Sequence, residues 1–270
     1  MRRSKAFIDI MWRICMKGLI IRDLLCLKRE IKMFIIISVM IIVTAILFII
    51  SSKVGNIANV IDEIKKIENS ADAQFMLNII KVPILFTLFI PAAFIANITD
   101  CFKEDGKAGF DKVLLNMPVS LHKRIGGRYL SCTILAVASL MISFIAAFLV
   151  SLVSEDFSLG QMIGCALSFN SIILIYMSIV LVLLFFFKPG KEDIIQVVTG
   201  TVISFAYLIP KMRELIDMPE QLMAIEMIKI GKEALTFLQD KWFLIFIIAI
   251  TSLVISYVTS VAIIEKRRRS

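Results

Sequence analysis

The sequence predicts an all-α polytopic membrane protein with six transmembrane helices, both termini cytoplasmic, and amphipathic helices at the interfaces. Three observations predict it. The 270 residues are 59% hydrophobic, with a mean hydropathy of +0.90, too apolar for a soluble domain of this size. Six stretches without Asp, Glu, Lys, Arg or His alternate with charged ones, and such stretches are the simplest guide to spans. With the N-terminus inside, 21 of the 30 Lys and Arg fall in inside segments and 9 in outside ones. That is the positive-inside asymmetry, and it accounts for the net charge of +8 without a nucleic-acid partner.

Residues 16–32 read as an interfacial helix. Met16, Ile20, Leu24, Leu27 and Ile31 form a stripe, with Lys17, Arg22, Lys28, Arg29 and Lys32 around it. Spans are expected at about 33–52, 82–99, 129–154, 160–187, 194–210 and 242–264. The first is almost wholly aliphatic. The fourth is longer than a bilayer needs and must tilt or overhang. The fifth would reach only ~26 Å, barely a crossing, and also reads as part of a re-entrant segment. Trp242, Tyr129 and Tyr207 fall near span ends, as aromatic anchors do. The outside loops carry two further amphipathic patterns. One joins Ile57, Val60, Ile61 and Ile64; the other joins Met223, Met227, Ile230 and Ala234, with Pro219 at its first turn. For both, simple packing is the plainer role.

The charged stretch between spans two and three, residues 101–128, has a shape of its own. A turn is expected at Asp105 and Gly106. Phe110, Val113, Leu114 and Met117 then recur on one helical face. Pro118 stops that helix, and Ser120 is placed to cap a second one through Leu121 and Ile125.

The chemistry that is missing narrows the function. There is no GxxxxGK[ST], HExxH or GxSxG pattern. The one histidine, His122, sits beside Lys123 and Arg124 and reads as a surface residue. Proton relays, ion-coupled transporters and intramembrane proteases need ionisable groups at membrane depth, and the six stretches hold none. Asn97, Asn170 and Gln196 are the polar candidates for a pathway, although such residues more often join helices. The five cysteines form no CxxC pair, and no disulfide is expected. The N-terminus is not a signal peptide, because Asp9, Arg13 and Lys17 interrupt any apolar run.

Two motifs carry a family likeness. MKGLIIRDLLCLKREIKMF resembles the opening of small six-span ABC transporter permeases of the second exporter type. EDGKAGFDKVLLNMPVSLHKRIGGRYL resembles that family's segment after span two: an acidic-glycine turn, an aromatic residue, an apolar helix, a Met-Pro-Val-Ser break and a basic helix entering span three. Asp105, Gly106, Phe110, Leu114, Met117, Pro118, Val119, Ser120, Lys123 and Tyr129 hold those positions. Phe110 stands where the family often has Trp, and Gly126-Gly127 where a more regular helix is common.

The resemblance implies a single permease domain over 1–270 in a bacterial cytoplasmic membrane, opening near Met16. It implies a separate ABC ATPase subunit in two copies and a second permease, identical or homologous. This chain would be no enzyme and would bind no cofactor or metal; ATP would sit on the partner. The segment 101–128 would couple ATPase closure to the spans, through Asp105, Gly106, Phe110, Val113, Leu114, Met117, Pro118, Val119 and Ser120. Peptides, drugs or lipid-like molecules would be the exported cargo, which suits an uncharged pathway. A reading from another class stands beside it: a non-transport membrane scaffold or sensor whose loops are interaction surfaces. Co-purification with an ATPase separates the two.

Overall fold

The computed structural model describes residues 18–54, 87–109, 120–152, 158–187, 190–216, 230 and 233–269. Among these the regular structure is helical throughout. Helix α1 covers 18–26 and turns at Leu27 into α2, Lys28–Val54. Helix α3, 87–93, passes through a 3₁₀ turn at Phe94–Asn97 into α4, Ile98–Ala108. Helices α5, Leu121–Ser151, and α6, Leu159–Phe186, follow. Then come α7, Glu192–Ile216, α8, 233–240, and α9, Trp242–Arg269.

Among the described residues three helices are long and apolar enough to cross a membrane: Leu121–Ser151, Leu159–Phe186 and Trp242–Arg267. Helix α5 begins eight residues before the expected third span, so its first two turns are charged. Helix α7 is 25 residues long. At ~1.5 Å per residue it reaches ~37 Å. That exceeds the uncharged stretch of 194–210, because a helix continues past its apolar part wherever the next residues still form backbone hydrogen bonds.

Local sequence explains the ends. Ser158 and Gln161 form a reciprocal capping box at the start of α6, with Gln161 N–H donating to Ser158 Oγ at 3.3 Å and Ser158 N–H donating to Gln161 Oε1 at 3.0 Å. Ser120 precedes α5 in the extended conformation expected of a cap. Its carbonyl accepts from Lys123 and Arg124, but its hydroxyl makes no capping bond. The turn expected at Asp105 and Gly106 is not there: both lie inside α4. The chain turns instead at Gly109, at φ 61°, whose N–H bonds to the carbonyl of Gly106. Only glycine takes that left-handed conformation without cost. Near the join of α3 to α4 lies Pro91, which supplies no N–H to the helical ladder.

The described part of the amphipathic stripe, Ile20 to Ile31, packs inward. Leu27 is fully buried and Ile31 packs against the main core, whereas Ile21 and Leu25 are exposed. The described part of the stripe therefore packs on protein, while Ile21 and Leu25 stay exposed on the other side of α1. Tyr129 is likewise no interfacial anchor. It is buried, and its hydroxyl meets Ser256 Oγ at 2.5 Å and Ser260 Oγ at 2.9 Å on α9. The third helix starts two turns earlier than its uncharged stretch, which carries Tyr129 into the bundle. Trp242 does open α9, half-exposed.

Helices α6 and α9 pack along each other more extensively than any other described pair. The main core joins α2, α4, α5, α6 and α9 around Ile95, Ile98, Cys132, Met177 and Leu181. A smaller one gathers Leu88, Ala147, Met162 and Cys165 toward the far end of α5. Ile57, Val60, Ile61 and Ile64 of the first outside loop lie outside the described residues. So do Met223, Met227 and Pro219 of the second, while Ala234 is half-buried in α8.

Candidate functional site

The start of α5, the end of α6, the start of α7 and the end of α9 meet at one end of the bundle, together with α1 and α4. Arginine is concentrated there. Side chains from three helices form a buried charge cluster at its centre.

Helix α1 contributes Arg22 and Asp23, α4 contributes Asp105, and α5 contributes Arg128. Arg22 reaches Asp23 Oδ1 through Nη2 at 2.7 Å and Asp105 Oδ2 at 3.2 Å. Arg128 Nη1 lies 3.0 Å from Asp23 Oδ1, and Arg128 Nη2 also pairs with Asp105. Arg128 Nη2 donates to the Cys101 carbonyl at 3.2 Å as well, and Ser131 Oγ donates to Asp23 Oδ2 at 3.3 Å. The Phe102 ring closes the site, with the Arg128 guanidinium 4.8 Å from its centre. Asp23 and Arg128 are almost fully buried. Each buried charge thus faces an opposite charge, and Asp23 and Arg128 each make a further hydrogen bond, to Ser131 and to the Cys101 carbonyl, while the Nη1 atoms of Arg22 and Arg128 are buried without a hydrogen-bond partner among the described residues.

The cluster depends on close approach of α1. A Cβ on Gly127 would meet Leu19 Cβ at 3.5 Å, an ordinary contact, so alanine fits there and only a side chain longer than alanine's would press α1 away. Cys101 Sγ lies 3.5 Å from the Asp23 carbonyl, and burial pushes its thiol up to about 12. A second tie runs from α4 to α7: Lys103 Nζ donates to Asp193 Oδ1 at 2.8 Å, which raises the Lys103 pKa. Thr99 Oγ1 also donates to Gln196 Oε1 at 3.3 Å.

Of the residues expected to couple a partner, Asp105 is in the cluster. Gly106 is beside it in α4, and Ser120 is exposed at the foot of α5. Phe110, Val113, Leu114, Met117, Pro118 and Val119 lie outside the described residues. Among the polar pathway candidates, Asn170 is buried between α5 and α6. It accepts from Ser139 Oγ at 2.7 Å and donates to Ser143 Oγ at 3.2 Å and to the Ala166 carbonyl at 2.9 Å. Gln196 links α7 to α4 through Thr99, and Asn97 is half-buried at the end of the 3₁₀ turn. His122 is on the surface, 3.4 Å from the Tyr257 hydroxyl and 3.7 Å from Glu265.

Sequence reasoning passed over Asp23 and Arg128, yet a signal was present. Asp23 falls three residues after Ile20 and four before Leu27, on the apolar stripe. Arg128 falls three after Ile125 and four before Cys132, on the inner face of α5. A charge on an apolar face needs a buried partner.

A family model described as ABC-2 family transporter protein matches residues 73–265. Comparison with curated proteins and with solved structures gives no match.

Proposed function

The chain belongs to the ABC-2 family of transporter membrane proteins, and from that membership we propose that it is the permease subunit of an exporter driven by a separate ATPase. The whole chain would be one permease domain with six spans and cytoplasmic termini, working beside a second permease in a bacterial cytoplasmic membrane. Two ATPase copies would dock below it and hold the ATP. The cargo would be hydrophobic or amphipathic, because the expected spans carry no ionisable group to pair with a charged one.

The observation that carries the coupling role is the anchorage of α4. Its end at Gly109 leads directly into the segment expected to meet the ATPase. Its body is joined to α1 and α5 by the Arg22, Asp23, Asp105 and Arg128 cluster, and to α7 by Lys103 and Asp193. A push delivered at residues 110–117 would therefore reach three helices as one movement rather than bend a loose loop.

The experiment compares two variants. An aromatic anchor in a partner's pocket often carries ~2 kcal/mol or more. Phe110→Ala should then weaken ATPase association about 30-fold, with membrane insertion intact. Pro118→Ala should lower transport more than ATPase association, because it relaxes the break that directs force into α5. Expression, ATPase pull-down and transport are measured for both. Normal pull-down and transport by Phe110→Ala at normal expression would remove the docking role.

A further inference from the structure

Two cysteines from different helices meet at the charge cluster. Cys101 of α4 is fully buried, and Cys26 ends α1, half-buried against the same core. Both thiols are free. Cys101 Sγ lies 3.5 Å from the Asp23 carbonyl oxygen. That oxygen also accepts from Leu27 N–H at 3.1 Å, so it belongs to the turn of α1 that carries Cys26. In a helix, a side chain three residues on can fold back to such a carbonyl. The helices here do so: Thr44 Oγ1 reaches the Ile41 carbonyl at 2.9 Å, Thr99 Oγ1 the Ala96 carbonyl at 3.0 Å and Ser151 Oγ the Phe148 carbonyl at 2.8 Å. Cys26 follows Asp23 by three residues. Folded back in the same way, its sulfur stands over the oxygen that Cys101 already meets.

The electrostatics agree with that placement. Burial pushes the Cys101 thiol up, and Cys26 is among the groups whose charge acts on it. Burial also raises Cys26, and Asp23, Asp105 and Arg128 act on both thiols. The two sulfurs therefore share one environment, although they come from α1 and α4. Cys132 and Cys165 are buried elsewhere, in α5 and α6.

We propose that Cys26 and Cys101 are a dithiol that a small disulfide, such as oxidised glutathione, closes into a bond between α1 and α4. The half-buried Cys26 reacts first. Its thiolate attacks one sulfur of the oxidant and expels one small thiolate. The Cys101 thiolate then attacks the Cys26 sulfur, expels the second small thiolate and completes the bond between the helices. Two cysteine thiols are oxidised, one small disulfide is reduced, and the two departing thiolates take up the two protons. The second step is intramolecular, and groups held together react with very high effective molarity, which offsets the scarcity of a buried thiolate. A reagent arriving from solution has no such advantage at Cys101. Once closed, the bond fixes α4 to α1 covalently beside their ion pairs. The site is independent of the transport reading and is tested without ATPase or cargo.

The full-length chain in detergent is incubated with oxidised glutathione, its remaining thiols are blocked, and it is digested without reductant. Mass spectrometry then maps every cysteine peptide. The main cross-link should join the Cys26 and Cys101 peptides, roughly tenfold over any other cysteine pair, a modest excess beside the effective molarity of held groups. Dithiothreitol should reverse it, and prior denaturation should abolish the preference. Cys26→Ser should remove the cross-link and leave Cys101 a free thiol. Cys101→Ser should leave Cys26 carrying glutathione. A folded wild-type chain with glutathione on Cys26 and a free Cys101 overturns the proposal without any variant. So does a chain in which neither thiol reacts, or one whose cross-links are no more selective than those of the denatured chain.

Discussion

Arg128 has 6% of its side chain exposed and two carboxylates against it. Removing its charge leaves Asp23, which has 1% exposure, with Arg22 as its remaining counter-charge beside the Ser131 hydrogen bond, and Arg22 must then serve both Asp23 and Asp105. Breaking a buried pair in this way costs about 3–5 kcal/mol, because the surviving charge loses its compensation. Arg128→Gln should therefore lower the melting temperature of the purified protein sharply, and an unchanged value would show that the cluster contributes nothing to folding. Cys101 supplies a pH test of the same packing. With its thiol pushed up to about 12 by burial, the thiolate fraction at pH 8 is on the order of 10⁻⁴. Raising the pH from 7 to 9 should leave Cys101 unreactive to maleimide in the folded protein, while detergent denaturation exposes it at once. Cys26, half-buried and also raised by burial, should react more slowly than an open thiol. Mass-spectrometric mapping of the labelled peptides reads both.

At the scale of elements, two glycines decide how helices end and meet. A Cβ on Gly109 would touch nothing among the described residues, so the cost of Gly109→Ala that they set is the left-handed backbone penalty of about 1–2 kcal/mol. That modest loss should appear as a small drop in melting temperature and a larger one in ATPase association, since the turn aims the segment that follows. Gly164 is the opposite case. A Cβ there would lie 3.2 Å from the Gln239 carbonyl oxygen and 3.3 Å from Trp242 Cδ1. Gly164→Val should wedge α6 away from the start of α9 and cost about 1–3 kcal/mol, read from thermal unfolding. Equal stability of the valine variant would mean that α9 does not rest on α6 at this point. The hydrogen bond from Ser168 Oγ to the Leu238 carbonyl at 2.6 Å pins the same region.

For the whole molecule, the four helix ends gathered at the arginine-rich end of the bundle run alternately up and down. That agrees with the alternation of charged and uncharged stretches. The orientation in the membrane rests on the Lys and Arg asymmetry, and labelling tests it. In a cysteine-free background, single cysteines at Lys65 and Lys229 should react with an impermeant reagent added to intact cells, and one at Lys107 should not. Reaction at Lys107 would invert the arrangement.

Transfer energetics and periodicity read from one strand of sequence were enough for several things. They marked α5, α6 and α9 as long apolar helices, because runs of aliphatic residues insert wherever they occur. They also separated the basic helix entering α5 from the stretch before it, and ruled out a P-loop, because such a motif is local. Periodicity found the stripe Ile20, Leu24, Leu27 and Ile31 but could not say whether protein or lipid would cover it, since both reward apolar contact. Only packing decided that it faces the core. The same limit hid the partnership of Asp23, Asp105 and Arg128, which are separated by 82 and 23 residues: a charge pair is a property of distance in space, and its chain positions carry no period. Asn170 and Tyr129 show the converse. Their types allowed a pathway or an interface, and the hydrogen bonds to Ser139, Ser143, Ser256 and Ser260 made them ties between helices, because an apolar bundle leaves a buried polar group no water to turn to.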